Sequence, residues 1–345
     1  MVTIAMFNNK GGVGKTTLTC NLASHFAKEL GQKVLVVDCD PQCNATQLIM
    51  GVEFAADLYW EEDKHKHNTT INNILQPIED GDSNILNDIK PIIHSKNRFG
   101  VDLIAGHPKL SIIEDKLSES WQQLVSGDTG GFRKSNWNTQ LCQLLEDRYD
   151  FIFFDLGPSL GSINRSVLIG CTYFLTPMGS DIFSILGVRN ISAWLDSWLS
   201  FYENAVKTAE KKSPGRLEEY KIPTILPIKN GYLGYTVQQY ITKTIDGIRR
   251  ATQAYEEIIN AVPNEVLHSL QKFADVKLDV NSLKLGDVPH LYSLIPLGQS
   301  AASPILSLKT SDGLVGPQYK QLEQYRTLID KISNNLTNNL LTIRK

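Results

Sequence analysis

The chain has 345 residues, 42% of them hydrophobic and 21% charged, with a formal net charge of −3. That length can bury a sizeable core as one large domain or two small ones, and the mild acidity does not advertise a nucleic-acid binder. No run of eighteen apolar residues and no basic segment leading into an apolar stretch is present, which argues against a membrane span and a secretory leader.

In chain order, "VTIAMF" (residues 2–7) reads as a buried strand and leads into "MFNNKGGVGKTT" (residues 6–17). Leu18, Leu22, Ala23, Phe26 and Leu30 then recur at helical spacing up to Gly31, a natural C-cap. "KVLVVD" (33–38) is the next strand. The polar stretch "WEEDKHKHNTT" (60–70) reads as an exposed loop; His65 and His67 could ligate a metal, but a solvated charge run is the preferred reading. Further strands are predicted at "VDLIA" (101–105), "FIFFD" (151–155), "TYFLTP" (172–177), "PTILPI" (223–228) and "LYSLIP" (291–296). Residues 235–277 read as one or two helices with Val237, Ile241, Ile245 and Ile248 on one face, a helical insertion between core strands. The Asn-rich tail at 334–345 is expected to fray.

Strands apolar on both faces and separated by helices imply an α/β fold with a mostly parallel, doubly wound sheet, here as a single domain over residues 1–345. Ligands on such sheets sit at the carboxyl ends of the strands. The five cysteines (Cys20, Cys39, Cys43, Cys142 and Cys171) lack a C-x-x-C pair, which fits a reducing cytoplasm.

In a phosphate loop, successive glycines turn backbone N–H groups inward and the following helix adds its dipole. Gly11, Gly12, Val13 and Gly14 would cradle phosphate oxygens, Lys15 would reach the terminal phosphates, and Thr16, followed by Thr17, would ligate magnesium. Lys10 is the anomaly, since one loop needs one such lysine. A lysine at the base of the loop can instead cross to a nucleotide held by a second subunit.

"KGGVGKTT", "VVDCDPQCNAT" (36–46) and "DFIFFDLGPSLG" (150–161) together resemble the deviant Walker A ATPases of the ParA/Soj type, relatives of MinD. "GVDLIAGHPKL" (100–110) and the block from 293 to 322 extend the resemblance nearly end to end. It implies ATP and Mg2+ as cofactors, with Lys10 on the partner's phosphates in an ATP-sandwiched homodimer. It further implies Asp40 orienting the attacking water, Asp38 supporting the magnesium shell, and Asp155 holding magnesium through water. Pro158 and Ser159 would move with the γ-phosphate. Asp40 could also be a helix N-cap, a compatible role. Pro227, Ile228 and Pro296 are placed at the adenine from strand ends alone.

As a family, such proteins bind nonspecific DNA as ATP dimers on the nucleoid and are released by a ParB-like stimulator, which is the leading functional reading. Residues 201–345 hold 18 Lys+Arg against 14 Asp+Glu, and the remaining 200 hold 16 against 23. The basic half nominates Arg249, Arg250, Lys272 and Lys277 as DNA contacts. Only nine residues precede Lys10, too few for an N-terminal helix-turn-helix. MinD-like membrane patterning would use Leu328, Ile332, Leu336 and Leu340, but their polar surroundings are asparagine rather than cations, and core packing explains them better. An iron–sulfur role would need cysteines placed to bridge two subunits; "DLGPSLGS" (155–162) offers none, and Cys142 and Cys171 lack suitable neighbours. An ATPase switch with a protein, mobile-element or defence cargo is the remaining alternative.

Overall fold

The computed structural model describes residues 1–61, 67–238, 243–245, 248–250, 253–289, 291 and 293–344. Its central strands are β1 (Val2–Met6), β2 (Val34–Asp38), β3 (Asp102–Ile104), β4 (Phe151–Asp155), β5 (Tyr173–Gly179) and β6 (Tyr232–Gln238). A short antiparallel pair, β7 (Lys243–Ile245) and β8 (Ile248–Arg250), stands apart, and β9 (Lys284–Val288) completes the main sheet. The order is β3-β2-β4-β1-β5-β6-β9, with every neighbouring pair parallel.

Parallel strands need crossover connections, and helices supply them. In chain order the helices are α1 (Lys15–Lys28), α2 (Asn44–Met50), α3 (Val52–Trp60), α4 (Ile71–Glu79), α5 (Leu110–Val125), α6 (Thr129–Ser135) and α7 (Trp137–Leu145). Then follow α8 (Ser162–Gly170), α9 (Ile182–Lys212), α10 (Arg216–Glu219), α11 (Gln253–Ser269), α12 (Leu294–Ser300) and α13 (Gly316–Arg344). The two-residue period of each strand divides the apolar residues between two cores. In β1, Ala5 faces a core with α4, α5 and α7–α9, while Ile4 and Met6 face one with α1, α2 and α13. The α/β doubly wound architecture read from the sequence is the one observed.

Four expectations are corrected. Residues 223–228 form no strand; the strand lies further on, at β6, whose apolar run is interrupted by Gly234. A side chain there would drive its Cβ to 2.2 Å from the Leu283 carbonyl, so packing against the segment before β9 requires glycine. The described residues of 291–296 also form no strand, because Pro296 falls in the first turn of α12, where its missing N–H costs little.

The stretch 235–277 is only partly helical. Its start, through Val237, belongs to β6, Ile245 and Ile248 lie on β7 and β8, and among the described residues only α11 is a full helix; Ile241 lies outside the described residues. Together these pieces make the crossover from β6 to β9. Likewise His65 lies outside the described residues, and His67 is exposed.

The tail also differs from expectation, because α13 runs to Arg344. Asparagine is a poor helix former, but tertiary burial decides here. Leu328, Ile329, Ile332, Leu336 and Leu340 are all buried against the sheet and α1. The stripe that could have met a membrane is therefore core. Asn339 is buried among them, and its Nδ2 donates to the carbonyls of Leu233 and Ser282, 2.9 Å each. Asn339→Ala leaves both carbonyls without that donor, and a loss of about 1–3 kcal/mol is expected. Urea unfolding followed by circular dichroism reads it; an unchanged midpoint would mean the tail contributes nothing to the fold.

Candidate functional site

The carboxyl ends of β1, β2 and β4 lie side by side, so the loops that follow them meet. Between β1 and α1 the chain turns through Gly12 and Gly14, both at φ +76°, a left-handed conformation that glycine adopts without strain. Gly14 ends this turn as the N-cap of α1, which aims the first amides of that helix at the loop. A cavity of about 690 Å³ opens there. Gly11, Gly12, Gly14, Lys15, Thr16 and Thr17 form one wall, and Asp40 and Pro158 stand among the residues facing them.

Beneath the loop sit two acids. Asp38 and Asp155 end neighbouring strands and are register partners, both fully buried. Burial, together with the Asp155 charge, pushes the Asp38 carboxyl up to about 7. Asp155 is pushed up to about 6 by burial, and hydroxyl donors and Lys15 hold back the rise. Thr16 Oγ1 donates to Asp155 Oδ2 at 2.8 Å, and the Thr19 hydroxyl lies 3.0 Å from Asp155 Oδ1. Lys15 is buried, and its Nζ donates to the Lys10 carbonyl at 2.9 Å. Burial lowers its pKa, against the pull of Asp155 and Asp40.

Asp38 is engaged within the chain. Its Oδ2 accepts from the Thr46 amide (2.8 Å) and the Thr46 hydroxyl (2.7 Å), and its Oδ1 from the Asp40 amide (3.2 Å). The Thr46 hydroxyl in turn accepts from the Gly106 amide at 2.9 Å. Asp38 thus fixes the path of the segment that carries Asp40. Asp40 is nearly buried, with Oδ1 accepting from the Gln42 amide at 3.0 Å. A Cβ on Gly157 would sit 3.1 Å from Asp40 Oδ1, so the loop after β4 packs against Asp40 directly. In that loop the Gly157 and Ser159 carbonyls accept from Asn164 Nδ2, at 2.8 and 2.6 Å. Pro158 reaches the cavity wall.

The donor set suits a magnesium ion bound along with phosphate oxygens. Thr16 offers a hydroxyl beside the ionisable Asp155, and among the described residues no cluster of three or more acidic, histidine or cysteine side chains would form a self-sufficient cage. Magnesium typically uses one or two protein ligands, waters and substrate phosphates.

Lys10 goes elsewhere. Its Nζ pairs with Asp181 at the start of α9, and Lys10 is not among the residues facing the cavity. The two lysines therefore diverge: one spans the loop, the other leaves it.

The adenine placement is corrected in part. Pro227 and Ile228 form a turn ahead of β6, at the amino edge of a parallel sheet and so across it from the loop, and Ile228 is buried in the core. Pro296 lies on α12, whose Ile295 and Gln299 do line the cavity together with Gln238, the last residue of β6. Gln238, Ile295 and Gln299 went unnoticed because β6 and α12 were assigned other structures. Among the DNA candidates, Lys272 pairs with Asp196 and Lys277 Nζ donates to the Ile343 carbonyl at 2.9 Å. Arg249 and Arg250 lie on β8, a strand rather than the helix expected.

Comparison with known proteins places this geometry. Residues 1–206 match the AAA_31 family model, described as an AAA domain. Over 327 residues the chain is 26% identical to the virulence plasmid ParA family protein pGP5-D of Chlamydia muridarum (strain MoPn / Nigg), spanning 94% of this chain and 98% of that one. Protein DIP2308 from Corynebacterium diphtheriae superposes with a TM-score of 0.72 and 38% identity, covering 88% of this chain and 97% of that one. An ATP complex of a Cyanothece McdA variant shares the fold at a TM-score of 0.57 and 14% identity, over 99% and 96%. The chain belongs to the AAA_31 family and has the P-loop NTPase fold of the ParA/MinD type.

Proposed function

We propose that the chain is an ATP-dependent dimerising ATPase that binds nonspecific DNA as an ATP-sandwich dimer, on the nucleoid, in plasmid or chromosome partition. A ParB-like partner bound to a centromere-like site stimulates hydrolysis and releases it. The observation that carries this reading is the divergence of Lys10 from its own loop. A buried Lys15 already lines the cavity, whereas Lys10 turns away from it and stays partly exposed, which supports a contact with a second chain.

Within one cavity the roles divide as follows. The amides of residues 11–14 and Lys15 hold the β- and γ-phosphates, and the base lies against Gln238, Ile295 and Gln299. Thr16 and, through water, Asp155 hold magnesium, which neutralises phosphate charge when bound. Asp40 orients the water, since phosphoryl transfer needs in-line positioning and charge compensation more than covalent help. Pro158 and Ser159 carry the loop that follows the γ-phosphate.

A protein cargo is the second reading, favoured by the surface of α9. There Phe183, Leu186, Trp194 and Phe201 are all exposed, while Lys272 and Lys277 are held by contacts within the chain.

Three substitutions separate the roles. Lys15→Ala is expected to lose nucleotide binding altogether. Lys10→Ala should bind as a monomer without dimerising. Asp40→Ala should bind and dimerise while turnover falls by about 100-fold or more, the scale of a lost positioned base. Titration calorimetry, sedimentation with a slowly hydrolysed ATP analogue and phosphate release measure them. An intact Lys10→Ala dimer would refute the contact between chains.

DNA binding should appear only with ATP or the analogue, on unrelated duplexes alike, and weaken steeply with added salt as counterion release requires. Dimerisation doubles any basic surface and makes weak contacts bivalent. A gel-shift series over salt and nucleotide state decides. Equal binding in all states, or none with ATP at low salt, removes partition and leaves the protein cargo.

A further inference from the structure

Asp181 uses its two carboxylate oxygens for different things. Oδ1 caps α9, accepting from the amides of Phe183 (2.9 Å) and Ser184 (3.3 Å). Oδ2 takes Lys10 Nζ and lies 3.3 Å from the Ser184 hydroxyl. Burial pushes the Asp181 carboxyl up, but Lys10 and the two amides outweigh it and hold the group below the usual carboxylate range.

The pair is framed from both sides. Asn8 Nδ2 donates to the Pro177 carbonyl at 2.8 Å and Asn8 Oδ1 accepts from the Lys10 amide at 2.9 Å, which pins the lysine's backbone to β5. In the second turn of α9, a Cβ on Gly187 would come within 2.6 Å of Asn9 Oδ1, so the helix seats directly on the residues before Lys10. Asn9 Oδ1 is buried there without a hydrogen-bond partner, an uncompensated acceptor next to the lysine. The Lys10 and Asp181 side chains nevertheless remain 31% and 30% exposed, within reach of another molecule.

We infer that Asp181 is a positioning residue that holds Lys10 within its own chain, so that the lysine must exchange this carboxylate for the phosphates of a partner's nucleotide before a dimer closes. The inference rests on the dimer reading above and deepens it. The exchange swaps one anion for another of higher charge, and it leaves the cap on α9 intact because Oδ1 makes that cap alone. Asp181 thereby sets the protein concentration at which ATP produces dimers, and keeps Lys10 off other anions in the monomer.

Asp181→Asn tests this, because asparagine caps a helix as well as aspartate does but carries no charge. Asp181→Glu restores the charge. In nucleotide-free protein, acylation of Lys10 by acetic anhydride, read by peptide mass spectrometry, should be about threefold faster or more in Asp181→Asn. The ion pair ties the amine to the carboxylate; released from it, the amine is freer to meet the reagent, and the glutamate variant should return toward wild type. With the slowly hydrolysed analogue and magnesium, the dimerisation midpoint of Asp181→Asn should fall about tenfold, the scale of releasing two partly exposed ion pairs. Unchanged labelling overturns the hold on Lys10 whatever the oligomeric state. An unchanged or weaker dimer, with wild type dimerising normally, overturns the exchange. A wild-type chain that stays monomeric with the analogue overturns the dimer reading itself, and the exchange with it.

Discussion

The constraint on which the rest of the site depends is the side-by-side placement of two buried acids, Asp38 and Asp155. Parallel pairing of β2 and β4 makes them register partners, and both are shut away from solvent. Burial disfavours the ionised form of each and pushes both carboxyls up, to about 7 and about 6, with the Asp155 charge adding to the rise at Asp38. The surrounding residues answer this charge in kind. Thr16, Thr19 and Lys15 attend to Asp155, while Thr46 and the Asp40 amide attend to Asp38. The phosphate loop and the segment carrying Asp40 are thus tied to the sheet through carboxylates.

That arrangement was largely legible in the sequence because it is local. The loop glycines, Lys15, Thr16 and the acids ending 33–38 and 151–155 all fall at the junction of an apolar run with its turn, where short-range pattern and chemistry coincide. Strands β1, β2 and β4 are buried on both faces, and such runs are hard to miss. The sheet's other edge was illegible for the converse reason. β6 holds Gly234 within its apolar run and β9 is "KLGDV", with a lysine, a glycine and an aspartate in five residues. Neither carries the signature of a buried strand, so nearby apolar stretches, 223–228 and 291–296, took their place. The cavity wall formed by Gln238 was missed along with them, since Gln238 belongs to the end of β6.

Long-range contacts account for the other departures. Nothing near Asn339 in the sequence announces that its side chain will bind carbonyls at Leu233 and Ser282, yet that pairing and the leucine stripe hold α13 helical to Arg344. Asp181 is likewise an unremarked acid in "GSDIFS", and becomes significant only once the fold brings it 171 positions back to Lys10. An ion pair between positions so far apart leaves no periodic trace in a single sequence.

The close approaches around the acids also bear on how the site could change state. A Cβ on Gly106 would lie 2.9 Å from Asp38 Cγ, and one on Gly157 would lie 3.1 Å from Asp40 Oδ1. The loop after β3 therefore abuts the acid of β2, and the loop after β4 abuts the acid that follows β2. Neither pair can slide far without a clash or a broken bond, because Asp38 also anchors Thr46 and, through it, the Gly106 amide. Packed contacts of this kind are bistable rather than continuously deformable. A charge arriving among Lys15, Asp40 and Pro158 would consequently move the loops after β2 and β4 as one body, with β3 providing the fixed side. The loops after β2 and β4 are, in this geometry, a single mechanical unit.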